Sequence, residues 1–397
     1  MINRTFDASV IGGGIIGLST AYFLLKRNKK VILIEKNEIG SGASGACDDM
    51  ILLQSKNPGI SLELALESLE LYKSLISELT VDIEFENRGG MILIEDQQQL
   101  AVMDEFVEKQ KKFGLKVEII DKQQVHKKQP YVNDTVIAST YSETDAQVNP
   151  LKVMRGFLSK GSEMGLEIKK NTIIRRIDEK SDHWRITFND GKYIETEKIV
   201  NAAGAWASEI GDIVGVQIPI LPKKGQIAVT EQVPKIGDTN VWSAEYIVAK
   251  LKPELAKKEN VLNQKYGIGF AFTQSSNGNY LIGSTREHAG FNKETNYDAL
   301  KIMINQAMHF FPILKNVHII RSFAGIRPAS ADGKPIIGEV EGKKGFYMAA
   351  GHEGDGIALA PITGKLIADL MDVKSIHYNI QELNLKRFRH ERKVKVV

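Results

Sequence analysis

Three glycines spaced Gly12-x-Gly14-x-x-Gly17, followed at the end of the next apolar run by Glu35, are the residues whose types and spacing most directly suggest chemistry. Glycine at the first position permits a tight strand-to-helix turn, at the second it lets a pyrophosphate approach the backbone, and at the third it allows helix and strand to pack closely. The helix start then offers free N–H groups and a positive dipole end to the phosphates, while an acid about 20 residues on accepts hydrogen bonds from ribose hydroxyls. The flanking sequence ASVIGGGIIGLSTAYFLLKRNKKVILIEK supplies the strand, helix and second strand that this use requires, so the unit reads as a dinucleotide site. A signal peptide or membrane span is excluded because the apolar run is short of ~20 residues, is broken by glycines and follows Asp7 rather than a basic leader.

Other candidates lie far along the chain. Arg327 stands between Gly325 and Pro328 in a turn feeding the last part of the sequence, and a planar guanidinium is suited to holding a carboxylate by two parallel charge-assisted bonds. The small-residue loop Gly40-Ser41-Gly42-Ala43-Ser44-Gly45 offers backbone amides that can approach a phosphate. A second glycine-rich loop, His352-Glu353-Gly354-Asp355-Gly356, opens the apolar helix IALAPITGKLIADLM.

These groups must be positioned by elements that alternate along the chain. A helix is expected from about Ile60 to Leu79, strands at GGMILIED and VIASTYS around a polar helix, a helix near Leu151 to Met164, and a strand at Glu167 to Asn171. A hairpin follows at Asn189-Asp190-Gly191, and the buried strand KIVNAAGAWA ends in small residues at Gly204, where a strand passes under a cofactor. Residues from about Gly211 to Leu314 read as antiparallel sheet with a polar insertion around Lys252 to Lys265. The expected fold is α/β (α+β overall), a Rossmann-like nucleotide domain with an antiparallel-sheet substrate domain inserted in it. The nucleotide domain takes residues 1–80, 146–210 and 325–397, and the sheet domain residues 81–145 and 211–324.

Composition excludes several classes. With 397 residues, 43% hydrophobic and 25% charged, the chain is long enough for two cores. Its single cysteine, Cys47, rules out an internal disulfide and a cluster held by four thiolates, and points to a reducing, cytoplasmic compartment. A net charge of +3 without a recognisable motif argues against nucleic acid, and scattered histidines argue against a metal site. The stretch Leu385 to Val397, with Lys386, Arg387, Arg389, Arg392, Lys393 and Lys395 against Glu391, reads as a solvated basic tail. Docking to a partner subunit, or peripherally to an anionic membrane surface, is its other reading.

The blocks GGGIIG…E, NAAGAW and GIRPxxxDGKPIIG…AAGHxxxGIxLAPxTGKLIADL together resemble the FAD-dependent D-amino-acid oxidase superfamily, most closely its glycine oxidase branch. The closing segment FRHERK is similar too. The resemblance implies an oxidoreductase flavoprotein with extended FAD: Gly12, Gly14, Ile15, Ile16 and Gly17 at the pyrophosphate, Glu35 and Lys36 at the adenosine ribose, and Ala43 and Ser44 along the phosphates. Asp48, Asp49 and Met50 would reach the flavin and Gly204 the strand beneath it, while Ile174 would present backbone to the adenine. His352, Glu353, Gly354, Asp355, Gly356, Ile357 and Ala358 would wrap the pyrimidine side of the ring, with the helix dipole at its C2 carbonyl. Arg327 matches the arginine that pairs with the substrate carboxylate, and Tyr246 a tyrosine that helps hold it.

The departures shape the expected activity. Glycine oxidase has an arginine two residues after the loop histidine, where this chain has Gly354 between two acids, and Cys47-Asp48-Asp49 replaces an AAG-type sequence. A more acidic pocket is therefore expected. GHEGDG and the insertion after Tyr246 look more like the FAD subunits of heteromeric proline, hydroxyproline or opine dehydrogenases. Because no cysteine is near Arg327 in sequence, where monomeric sarcosine oxidases tether their flavin, FAD is expected to be noncovalent. The implied reaction is oxidation of the C–N bond of a small amino acid, with Arg327 and Tyr246 on its carboxylate and no dedicated general base. Its electron acceptor is oxygen or, alternatively, a partner redox subunit or quinone; a homo-oligomer is the other assembly open to the chain.

Overall fold

The computed structural model describes residues 5–255 and 265–391. Its first sheet is built on five parallel strands, Phe346–Ala350, Tyr193–Asn201, Thr5–Ile11, Val31–Ile34 and Glu167–Lys169, side by side in that order. The strand Ile336–Glu339 adds antiparallel to the outer edge. Period-two alternation makes both faces apolar, as a covered parallel sheet requires. Ala8, Val10, Val31 and Leu33 face the helices Ile15–Leu25, Ile60–Glu78, Pro150–Glu163 and Gly356–Met371. On the opposite face Phe6 and Ile32 pack with Trp184, Ile186 and Phe188 of an antiparallel flap that hangs from Tyr193–Asn201.

The second sheet runs in the order Ile319–Ser330, Ile220–Gln232, Asn279–Gly283, Ala271–Gln274, Asn240–Ser243, Gly90–Ile94, Ala138–Ser142 and Glu118–Asp121. All pairs are antiparallel except Asn240–Ser243 with Gly90–Ile94. Helices Gln97–Lys111 and Ala244–Leu251 cover one face and Tyr297–Phe310 the other. The stretch from Gly211 to Leu314 is thus not sheet alone. Asn296 caps the last of these helices by accepting from the Ala299 amide at 3.1 Å, and Ala299, Met303, Ala307 and Phe310 form its buried stripe. Tyr246 sits on a helix rather than a strand.

Arg327 likewise lies within the strand Ile319–Ser330 and not in a turn, and the expected domain boundary at 325 falls inside that strand. Opposite it runs Ile220–Gln232, in a register that pairs Lys223 with Arg327 and Gly225 with Gly325. These two long strands carry the second sheet to the first: Ala329 bridges to His352, at the start of the loop before Gly356–Met371.

Residues 256–264 of the polar insertion, and Arg392, Lys393 and Lys395 of the basic tail, lie outside the described residues. The described start of the tail is docked rather than free, since Arg387 pairs with Asp332 at 2.8 Å and donates to the Lys334 carbonyl. Among the described residues no helix is long and apolar enough to cross a membrane, and no cluster of His, Cys, Asp or Glu has the arrangement of a metal site.

Candidate active site

A continuous cleft runs from the first glycine turn to the inner end of the second sheet. At one end Gly12 adopts φ +114°, and a Cβ there would collide with the Ala202 carbonyl. A Cβ on Gly17 would overlap the Gly12 carbonyl oxygen, so strand and helix meet there backbone to backbone. Gly17 itself does not line the cleft: its place is this close packing, and Gly12, Gly14, Ile15 and Ile16 form the wall. The helix Ile15–Leu25 has Gly14 as its N-cap, with no side-chain cap of its own. The Ser44 hydroxyl from the small-residue loop accepts from the Ile15 amide at 3.0 Å.

Glu35 closes this end. Its carboxylate accepts from the Gly13 amide at 2.7 Å and the Asn37 amide at 2.8 Å, which fixes it while leaving lone pairs open toward the cleft. Lys36 lies over the Trp206 ring at 4.0 Å, and burial holds its ammonium below the usual lysine range. Trp206 is also stacked on Phe291 at 5.0 Å, and Lys293 donates to the Ser41 carbonyl at 3.0 Å, so residues beside the second sheet clasp this end. Ala43, Ile174 and Gly204 line the same region.

At the other end the helix Gly356–Met371 presents a second uncapped N-terminus. Gly356, Ile357 and Ala358 line the cleft there with Met50 and His352. Pro361 inside this helix has no N–H for the Ile357 carbonyl, and the Tyr72 hydroxyl donates to that carbonyl instead, at 2.7 Å. His352 is buried and bonded through Nε2 to the Thr363 hydroxyl at 2.9 Å, while its Nδ1 has no partner among the described residues. Burial pushes its pKa down to about 4, so the ring is neutral near pH 7.

Arg327 reaches this end across Gly225, whose missing side chain leaves the space that the guanidinium fills. It donates to the Thr285 carbonyl at 2.7 Å and the Ser284 hydroxyl at 2.8 Å. Both partners are neutral, and among the described residues Arg327 has no ion pair within 4.0 Å. Its remaining N–H donors form an open fork. Tyr246 lines the cleft from its helix, and Gly354 lies beside Arg327: a Cβ there would come within 3.8 Å of its Nε.

The two acids of the GHEGDG loop do not make the pocket acidic. Glu353 pairs with Lys223 at 3.2 Å, and Asp355 with the buried Lys56 at 2.6 Å. The adjacent acids Asp48 and Asp49 part company. Asp48 lines the cleft, and burial raises its carboxyl despite the neighbouring Arg327 guanidinium. Asp49 does not line the cleft; it is buried, its Oδ1 has no partner among the described residues, and burial and the Asp48 charge push it up to about 7.

Three cationic cleft residues went unread in the sequence: Lys56, Arg286 and Lys250. None belongs to a spaced motif, and long-range packing alone brings them together. Cys47 also lines the cleft and feels the charge of Arg327, so the absence of a nearby cysteine in sequence does not hold in space. Burial raises its thiol far above the ordinary range, and Sγ donates to the Ser44 carbonyl. A protonated thiol is a poor nucleophile.

The family described as FAD dependent oxidoreductase matches residues 7–370. The chain belongs to this family. Its dinucleotide is FAD, and the glycine turn, the clasped Glu35 and the two open helix ends in one cleft fit that group. Hydrogen cyanide synthase subunit HcnC of Pseudomonas aeruginosa is 26% identical over 98% of both chains. Glycine oxidase of Bacillus subtilis is 27% identical over 99% of both. Among solved structures, L-proline dehydrogenase from P. horikoshii superposes with a TM-score of 0.88 at 26% identity, covering 98% of this chain and 99% of that one.

Proposed function

We propose that this FAD-dependent oxidoreductase oxidises the C–N bond of a small primary or secondary amino acid. The observation that carries the reading is Arg327: a guanidinium held by neutral partners, with an open fork, in the cleft that begins at the dinucleotide turn. Flavin supplies the acceptor for a hydride from the carbon bearing the amine, and water then splits the resulting imine into an oxo acid and the released amine. The chain's own contribution is orientation. Arg327 takes the substrate carboxylate by two parallel bonds, and Tyr246 bounds the substrate on the side of its helix. Lys56 and Thr363 fix Asp355 and His352, so the uncapped helix start at Gly356 faces the redox end of the cleft with a set geometry. His352 is neutral and unsuited to donating a charge-driven proton near pH 7.

Anaerobic addition of glycine, sarcosine, proline, hydroxyproline and D-amino acids to the yellow protein tests the proposal, since a true substrate bleaches the flavin. Failure of every amine to bleach a fully loaded protein overturns it. Noncovalent FAD is part of the same proposal: acid precipitation should leave the flavin in the supernatant, and a yellow pellet would contradict it.

A second reading concerns the acceptor. Similarity to a protein named as a synthase subunit and to a dehydrogenase favours transfer of electrons to a partner redox chain rather than to oxygen. Slow recolouring in air, with turnover restored by an artificial dye, supports this reading; rapid stoichiometric peroxide formation supports the oxidase.

A further inference from the structure

The inner end of the cleft holds more positive charge than one carboxylate requires. Arg286 lines it together with Arg327, and the same short segment fixes both. Ser284 and Thr285 accept from Arg327, and the next residue is Arg286, whose amide donates to the Tyr266 carbonyl at 2.8 Å. The Arg286 guanidinium lies over the Tyr246 ring, its Cζ 3.8 Å from the centroid. Gly269 makes room for it, since a Cβ there would stand 3.1 Å from Nη1. Among the described residues the Arg286 side chain has no hydrogen bond and no ion pair. Lys250, one helical turn from Tyr246, lines the cleft too and is likewise unpaired among the described residues.

Two neighbouring guanidinium groups repel, and burial together with the Arg286 charge lowers the Arg327 pKa. The acids that could offset them are mostly engaged: Glu353 by Lys223 and Asp355 by Lys56. Asp48 remains, a single carboxyl that feels both guanidinium charges while burial raises its pKa. The arrangement therefore leaves room for anionic groups supplied from outside, with one fork for each guanidinium.

Resting on the amine-oxidation reading above, we propose that the substrate is an amine bearing two carboxylates, one held by Arg327 and the second by Arg286 where it lies over Tyr246, with Lys250 beside them. Two kinds of molecule share this chemistry: an N-carboxyalkyl amino acid, with the second carboxylate across the nitrogen, and a dicarboxylic amino acid, with it on the side chain. Tyr246 then serves as the platform that orients the second guanidinium, a role separate from donating its hydroxyl.

The test compares matched pairs on the FAD-loaded protein without air. Iminodiacetate is set against sarcosine, and D-aspartate against D-alanine, by rate of flavin bleaching. Acetate and malonate, which carry no amine, are compared by perturbation of the flavin spectrum to give Kd. A charge-assisted pair is expected to favour the dicarboxylate of at least one couple by about 10- to 100-fold in kcat/KM, and malonate over acetate in Kd. The favoured couple tells the two kinds of substrate apart. Arg286→Leu should collapse that ratio, Arg286→Gln should do the same with a smaller change in packing, and Arg286→Lys should restore part of it. Flavin content and melting temperature confirm that each variant is folded.

Equal rates and affinities for both members of every pair, or a preference untouched by Arg286→Gln in folded protein, overturn the proposal while leaving amine oxidation in place. Bleaching by no amine, with malonate still bound more tightly than acetate in an Arg286-dependent way, overturns the oxidation reading and keeps the two-anion site.

Discussion

The two ends of the cleft are built by different physical means. Around Gly12, Ile15 and Glu35 the wall is mostly backbone: a carbonyl-crowded turn and a helix start whose first amide meets the Ser44 hydroxyl, with one carboxylate held by two amides. Around Arg327 and Arg286 it is side chains, placed by strand register and a three-residue segment, with charges offset by neutral dipoles or left open. A backbone site tolerates little change in shape but is indifferent to most side chains, whereas a side-chain site keeps its shape and changes its selectivity with one substitution.

That contrast breaks most sharply at Gly17. Gly17→Ala drives a Cβ into the Gly12 carbonyl, backbone that cannot move without opening the turn, and is expected to cost about 3 kcal/mol or more and to yield protein without flavin. Gly14→Ala meets only the Ser44 hydroxyl at 3.1 Å within the protein, so it should melt close to the parent apoprotein while losing flavin, because its Cβ enters the space the pyrophosphate needs. Flavin-to-protein absorbance ratios and thermal melts decide, and equal losses of stability in the two variants would remove the distinction between close packing and the cleft wall.

Next in size is Arg327→Ala. It should lose roughly 2–5 kcal/mol of transition-state binding on the best substrate with flavin content unchanged, and Arg327→Lys should recover only part. Unaltered kcat/KM would take Arg327 out of the substrate end.

Asp49 sharpens the comparison from beside the cleft. Its folded pKa of about 7 stands above the ordinary carboxylate value, so the folded state binds the proton more tightly than the unfolded chain. Its stabilising contribution is complete below pH 4 and is lost as pH rises through 7. Asp49→Asn should therefore gain on the native protein between pH 5 and 8, by up to about 4 kcal/mol, in denaturant titrations. His352 works in the opposite sense: its lowered pKa makes stability fall as pH drops from 6.5 to 4, and this loss should be common to both proteins. A constant gap between them from pH 4 to 8 would show that the Asp49 carboxyl binds its proton equally in the folded and unfolded chain, and would remove the raised pKa.

The smallest effect is expected from Tyr72→Phe. It leaves the Ile357 carbonyl without a donor at the helix start, costing about 1–3 kcal/mol in melting experiments while the glycine turn stays intact.

Much of the backbone end was legible in the sequence because its signals are local. The glycine spacing, the acid after the second strand and the Ser44 loop all follow from turns and helix starts within one stretch of chain. The family blocks carried the fold class, parallel and antiparallel sheets in one α/β chain. The end around Arg327 was only partly readable. Resemblance pointed to Arg327 and Tyr246, which both line the cleft, but Arg286 and Lys56 have no spacing to mark them and join it through packing between distant segments. Charge neutralisation was missed for the same reason: Glu353 and Asp355 look acidic in a row of residues, and only the fold places Lys223 and Lys56 against them. Neighbours in sequence misled at Asp48 and Asp49, which take different surroundings.

The paired strands Ile220–Gln232 and Ile319–Ser330 bear on how proteins of this shape can vary in length. Side chains alternate between faces along a strand, so one residue added between Arg321 and Arg327 would turn the guanidinium away from Gly225 and empty the fork. The irregular pairing at Val229 and Thr230 lies beyond that stretch and offers no correction within it. Insertions and deletions that preserve activity should therefore gather in the connections at residues 233–239 and 331–335, leaving the span from Gly225 to Val229 and from Arg321 to Arg327 at constant length.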